Sequence, residues 1–243
     1  MLIVQSKLSI IHRCNGNEFV EFGVEDYVES NTRFLLMNNN WSGFVMNGSE
    51  SNIKKIISSD YYWRYDLTAK YCFITKENIN KILKENCHKD IGLLHIDLDG
   101  NDYWIWKEIN VISPIILILE YNSVFGIERA ITVPYKSDFI RAKEHYSNLY
   151  WGASLKALYH LSKEKGYTFI GCNSAGNNAY FISNDKLNEK VKEISLEKGY
   201  VKSKYRESRD INGNKTFIGG DKRLEVIRGL HLINVENNQL EEL

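Results

Sequence analysis

Two runs limit what this chain can fold into: IGLLHIDL over 91–98 and PIILILEY over 114–121. Apolar runs this nearly continuous suit strands covered on both faces, and such strands belong to parallel sheets flanked by helices. Shorter β runs come before them at Glu18–Phe22, Gly43–Met46 and Tyr71–Ile74. Helix-like patterns lie between, over Glu29–Asn39, from an N-cap at Ser49 through Ile57, and over Lys76–Asn86 behind a Thr75 cap. After the two central runs come a helix over Ser154–Lys165 ended by Gly166, then two β runs, Tyr167–Cys172 and Ala179–Ser183, around Asn173–Asn177. Seven strands alternating with helices predict an α/β fold: a mostly parallel, seven-stranded sheet with helices on both faces and an antiparallel terminal hairpin.

Two regions fall outside this alternation. Ser123–Tyr150 is too long for an idle connector and is expected to be a substrate loop. The tail from about Lys186 combines a helix-like Leu187–Leu196 with a charged stretch, Lys202–Asp210. It reads as an extension over 186–243 rather than an independent domain, leaving 1–185 as the domain proper.

Composition removes several classes. The 243 residues carry 31 Lys+Arg against 31 Asp+Glu, which argues against a broad surface for nucleic acid. Cys14, Cys72, Cys87 and Cys172 are scattered and form no CxxC pair, so zinc-ribbon and disulfide-scaffold readings lack support. The N-terminal apolar patches are too interrupted for a signal peptide, and Pro114–Leu119 is too short to span a bilayer. The expectation is a soluble cytoplasmic protein with no membrane or nucleic-acid partner; assembly with like chains stays open.

In open α/β sheets, ligands bind beyond the carboxyl ends of the strands. The polar clusters there are Glu21–Asp26, Asn47–Glu50, Thr75–Asn78, Asp97–Asp102 and Glu120–Asn122. The first holds one glycine and three carboxylates (Glu21, Glu25, Asp26), which would repel a pyrophosphate and suit an ammonium or sulfonium. His95, Asp97 and Asp99 project to one side of an extended segment. A carboxylate crowded by another has a raised pKa and can serve as a general base.

VEFGVEDYVESNT, GFVMNGSESNIKKI, HIDLDGNDYWIW, PIILILEYN and YTFIGCN…NNAYFIS together resemble the ordered motifs of class I S-adenosylmethionine (SAM)-dependent methyltransferases. The set DLDGNDYW, EYNSVFG, VPY, WGASLKAL and GYTFIGCNSAGNNAYF is similar to methyltransferases of bacterial capsule and surface-polysaccharide loci. The resemblance covers roughly residues 17–185 and implies a Rossmann-like, doubly wound sheet with SAM as cofactor. It implies Glu21, Gly23 and Glu25 around the methionine part, Asn47 and Ser49 at the ribose, and Thr75, Glu77 and Asn78 toward the adenine. Glu25 and Tyr27 stand where a GxGxG loop would continue, and Asn47 where such enzymes usually carry an acid.

The implied activity is O-methylation of a hydroxyl on a small sugar or sugar-nucleotide, such as a nucleotide-linked heptose, in capsule biosynthesis. A phosphoramidate acceptor, a nicotinamide-dependent sugar oxidoreductase and a non-catalytic relative stay open. Asp97 and Asp99 are the candidate bases, with His145 the alternative in the long segment; His95 reads as a core histidine. A divalent metal is not favoured; if one binds, Asp97, Asp99, Glu120 and Asn122 would supply its oxygen ligands.

Overall fold

The computed structural model describes residues 16–204 and 207–243. The N-terminal stretch read for a leader, including Cys14, lies outside them.

Seven strands form the main sheet: β1 (Glu18–Phe22), β2 (Ser42–Asn47), β3 (Leu67–Tyr71), β4 (Asp90–Ile96), β5 (Ser113–Glu120), β7 (Tyr167–Cys172) and β8 (Asn178–Ser183). Their order is β3-β2-β1-β4-β5-β8-β7. Strands β1 to β5 pair in parallel, whereas β8 runs antiparallel to both β5 and β7. The terminal hairpin is present, but its antiparallel member is not the edge: β8 inserts beside β5 and leaves β7 outermost. The third strand also ends earlier than the sequence suggests. Tyr71 closes β3, and Cys72–Ile74 leave the sheet at its carboxyl edge.

Helices α1 (Arg33–Asn39), α2 (Glu50–Ile57), α3 (Ile79–Asn86), α4 (Asp102–Glu108), α5 (Arg141–Glu144) and α6 (Leu155–Glu164) connect the strands. Ser49 caps α2 as read, its side chain accepting from the Asn52 amide. Ser154 caps α6 in the same way, and Gly166, at φ 85°, ends it. Thr75 does not cap α3. Asn78 occupies the N-cap, and its side chain reaches back to the Thr75 amide (2.9 Å) and the Phe73 carbonyl (2.8 Å).

Side chains of the central strands alternate between two cores, as period-2 geometry requires. Val20, Phe22, Leu94, Ile96, Leu117, Leu119 and Phe181 face one, with α3, α4 and α6 packed over them. Phe19, Val45, Leu93, Ile116, Ile118 and Tyr180 face the other, under α1 and α2.

A second sheet, ordered β10-β9-β6, joins β6 (Ile131–Thr132) of the long segment to β9 (His231–Asn234) and β10 (Gln239–Glu242) of the tail. Beneath it Phe125, Ile131, Trp151, Ile227 and Leu232 form a third apolar cluster. The helix expected over Leu187–Leu196 does not form. Asn188 and Val191 instead make an isolated antiparallel bridge, and the tail's helices are the short α7 (Leu196–Gly199) and α8 (Lys222–Val226). Among the described residues, no helix is long and apolar enough to cross a membrane.

Candidate functional site

Period-2 alternation places Glu21, His95, Asp97, Glu120 and Asn178 on one face of the sheet, at the carboxyl edge of four adjacent strands. The register completes the arrangement: Glu21 lies opposite His95, and Glu120 opposite Asn178. These polar side chains begin where the apolar core of that face stops.

Glu21 is buried, 2% exposed, and turned inward. It accepts from His95 Nδ1 (2.7 Å), the Ser30 hydroxyl (2.5 Å), the Asn31 amide (3.1 Å), the Thr32 amide (3.3 Å) and the Thr32 hydroxyl. Burial alone would raise its pKa, but His95, Ser30 and Thr32 together hold it below the usual carboxylate value. His95 is 3% exposed; burial pulls it down, and the Glu21 bond with the charges of Glu21 and Asp97 carries it above the ordinary imidazole value. The carboxylate read as a ligand contact is thus spent on fastening the Ser30–Thr32 segment and His95.

The turn after β1 has the shape of a glycine-rich loop without its glycines. Gly23, Glu25 and Tyr27 all have positive φ, at 72°, 45° and 66°. Gly23 has no substitute: a Cβ there would lie 1.5 Å from the Asp97 carbonyl oxygen. This backbone contact holds the β1 and β4 turns together, with Asp97 and Asp99 beside Glu25.

Asp97 is pushed up to about 6, by burial first, with His95 opposing and Asp99 adding to the rise. Glu120 is raised well above its ordinary value, by burial and then by Asp97 and Asp99. Its Oε2 is buried with no hydrogen-bond partner. Asp99, at φ 54°, does not cap α4; it pairs with Arg141 Nη1 at 2.7 Å. The turn is held instead by buried Asp102, which accepts from the amides of Leu98 (2.8 Å) and Gly100 (3.0 Å). Burial, then Asp97, pushes Asp102 up to about 7.

Two cavities meet at Gly23, Glu25, Asp97 and Asp99. One, of about 280 Å³, has an apolar wall of Met46, Phe73, Ile74, Leu98 and Phe139, with Asn47, Asn52 and the unpartnered Asn101 Oδ1 among its polar groups. The other, of about 480 Å³, runs over Glu21, His95, Asp97, Glu120 and Asn178 to Arg141.

Of the residues read from the sequence, Glu21, Gly23, Glu25, Asn47, Asp97, Asp99 and Glu120 line these cavities. Ser49, Thr75 and Asn78 do not. Ser49 is occupied at its helix, Asn78 is folded onto its own turn, and Glu77 accepts from Tyr135 (2.8 Å). Cys72, Phe73 and Ile74 take the wall assigned to Thr75 and Asn78 because β3 ends early. His145 is also absent from both linings and bonds to the Ser147 hydroxyl at 2.7 Å. The long segment does reach the site, through Phe139 and Arg141.

Asn122 is unavailable as a metal ligand: its amide donates to Leu149 and Trp151 carbonyls (both 2.9 Å) and its oxygen accepts from Val124 (3.0 Å). Among the described residues, no grouping of three His, Cys, Asp or Glu is arranged to hold a metal ion. Sequence reading reached Asn101 only as part of the Asp97–Asp102 cluster and missed Arg141 and Asn178 as lining residues. Alternation along β8 was the one signal for Asn178; nothing local marked Arg141.

The strand order, with one antiparallel strand second from the edge, decides the architecture. It is the Rossmann-like, mostly parallel seven-stranded sheet with an antiparallel terminal hairpin that the sequence predicts. Solved structures with a partial likeness include the O-methyltransferase from Bacillus cereus in complex with S-adenosylhomocysteine (SAH), at 11% identity over 74% of this chain and 77% of that one, TM-score 0.47. The plantazolicin methyltransferase BamL, in complex with a substrate analogue and SAH, is 12% identical over 75% and 84%, TM-score 0.47. A SAM-dependent methyltransferase from Clostridium acetobutylicum is 9% identical over 74% and 89%, TM-score 0.45. No protein-family model matches the sequence, and no curated protein matches it.

Proposed function

We propose that this protein is a SAM-dependent O-methyltransferase acting on a hydroxyl of a sugar-containing acceptor. In this reading residues 1–185 carry the methyl-donor site, 186–243 are an extension of that domain, and the acceptor is a cytoplasmic capsule precursor. The observation that carries the donor assignment is the joined pair of cavities beyond β1, β2 and β4. Carboxylates surround their meeting point, where an ammonium and a sulfonium are favoured and a pyrophosphate is repelled. The apolar wall of the smaller cavity suits an adenine, with the buried Asn101 oxygen available to an exocyclic amine. Asn47 at the slot's wall can accept one ribose hydroxyl and donate to another, although its oxygen already accepts from the Ser49 amide (2.7 Å).

Bound SAM supplies an electrophilic methyl group. This chain's residues supply alignment and the handling of one proton. A hydroxyl attacking in line must be held still and must lose its proton. Asp97, raised to about 6, is ionised at neutral pH and still basic enough to receive it. Burial and the charges of Asp97 and Asp99 favour the protonated form of Glu120 beside it, and its unpartnered Oε2 can hold the acceptor. His95, fixed by Glu21, sets a positive charge behind Asp97 that keeps the carboxylate ionised.

Isothermal titration with SAH tests the donor site, and turnover on capsule precursors, scored as SAH release, tests the activity. Asp97→Asn is expected to cut turnover by about 10²–10⁴-fold, the usual worth of a general base. Wild-type turnover should rise with pH through about 6, as Asp97 loses its proton. Unchanged turnover in the variant removes Asp97 from the mechanism, and no SAH binding removes the whole reading.

A further inference from the structure

From Glu120 and Arg141 a third cavity, of about 330 Å³, opens away from the donor site. The hairpin loop Ala175–Asn177 forms one wall, and Ser203, Glu207 and Arg223 of the tail form another. That volume lies within the range of small-ligand sites, about 300–1,000 Å³.

The tail wall is built onto the end of β5. Tyr121 donates its hydroxyl to the Val201 carbonyl (2.5 Å) and Tyr200 to the Ser123 carbonyl (3.0 Å), while the Ser203 amide donates to the Ser123 hydroxyl (2.9 Å). Gly176 lets the tail cross the hairpin loop, since a Cβ there would lie 2.7 Å from the Ser203 nitrogen. Among the described residues of the lining, carboxylates Glu29 and Glu207 and guanidiniums Arg141 and Arg223 are equal in number, Glu207 pairs with Arg209 (3.4 Å), and burial with the charges of Asp97 and Asp99 favours the protonated form of Glu120. Both arginines are engaged, Arg141 with Asp99 (2.7 Å) and the Asn148 carbonyl (2.7 Å), Arg223 with the Ser203 carbonyl (2.9 Å). A phosphate entering here would bring unbalanced negative charge into a lining whose described charges cancel. Glu120 is 7% exposed and lines the cavity, with no hydrogen-bond partner for Oε2 among the described residues.

We propose that this tail-walled cavity is the recognition site for the acceptor, and that it takes an uncharged, hydroxyl-bearing group, one hydroxyl of which bonds Glu120 Oε2. The inference rests on the methyltransferase reading for the word acceptor; the ligand chemistry stands on the cavity alone. Any phosphate on the acceptor stays outside.

Saturation-transfer NMR on the full chain, with neutral methyl glycosides and the corresponding glycosyl phosphates as probes, tests it. Neutral glycosides are expected to bind at least about tenfold more tightly than their phosphates. Glu120→Leu should weaken the neutral probes by about tenfold, and Glu120→Gln, which keeps a hydrogen-bonding group, should restore most of it. Glu207→Gln, which removes a carboxylate from the lining, should improve phosphate binding. Phosphates binding as well as neutral glycosides, equal binding by the two Glu120 variants, or no glycoside binding in the millimolar range overturns the proposal. A parallel SAH titration separates the two claims: glycoside binding without SAH binding sinks the methyltransferase reading and leaves the cavity's chemistry standing.

Discussion

Glu21 shows how a residue can be placed well from sequence while the partners that hold it go unread. Its position at the end of β1 was legible, because an apolar run stops there at a glycine. Its five donors were not, because His95 is 74 residues away and meets it only through the β1–β4 register. Removing one member of a buried charge pair leaves the other uncompensated, so Glu21→Gln should cost about 3–5 kcal/mol in urea unfolding. The pH dependence is also set. Glu21, held below 4.5, gives stability that is present above that value and lost as pH falls through its folded pKa. His95, held above 6.5, gives stability that is full below that value and lost as pH rises through its folded pKa. The gap between wild type and variant should therefore be widest between the two and should narrow toward both extremes.

At the scale of elements, the turn after β1 works through backbone conformation more than through side chains. Its glycine-poor sequence folds as a glycine-rich one would, with Glu25 and Tyr27 in left-handed conformations that cost about 1–3 kcal/mol each. Gly23 admits no such compromise, because the obstacle is the Asp97 backbone and not a movable side chain. Gly23→Ala should force the β1 and β4 turns apart. The expected result is weaker SAH binding in titration and a lower unfolding midpoint, with α6 and the second sheet unchanged in amide exchange. Retained SAH affinity in a folded variant would mean that the contact does not shape the donor site. The shortened β3 carries the same lesson. Residues 72–74 looked like a strand by composition, yet they leave the sheet and wall the cavity with Phe73 and Ile74.

Over the whole molecule, the long segment and the tail are one structure, joined by the pairing of Ile131 with Asn234 and of Thr132 with Ile233. Leu232, fully buried under this sheet, ties the tail to Trp151 and Phe125. Leu232→Ala should cost about 2–5 kcal/mol locally. Amide exchange should accelerate in β6, β9 and β10 while β4 and β5 stay protected, which would mark the extension as a separately yielding unit. Uniform acceleration across both sheets would instead show one cooperative unit.

Sequence alone determined six of the seven strands, most of their helices and the edge at which a site would form; the third strand it set at 71–74, where β3 is Leu67–Tyr71. Hydrophobic period and capping are local signals, readable within about 11–18 residues. It also placed Gly23, Asp97 and Asp99, because chain reversals after buried strands put polar residues at that edge. Tertiary structure decided the rest: that Glu21 closes on His95, that Glu120 is left with an unpaired oxygen, and that Arg141 and the tail border the same space. These depend on strand order, register and long-range packing, and no short stretch of sequence contains the distances that set them.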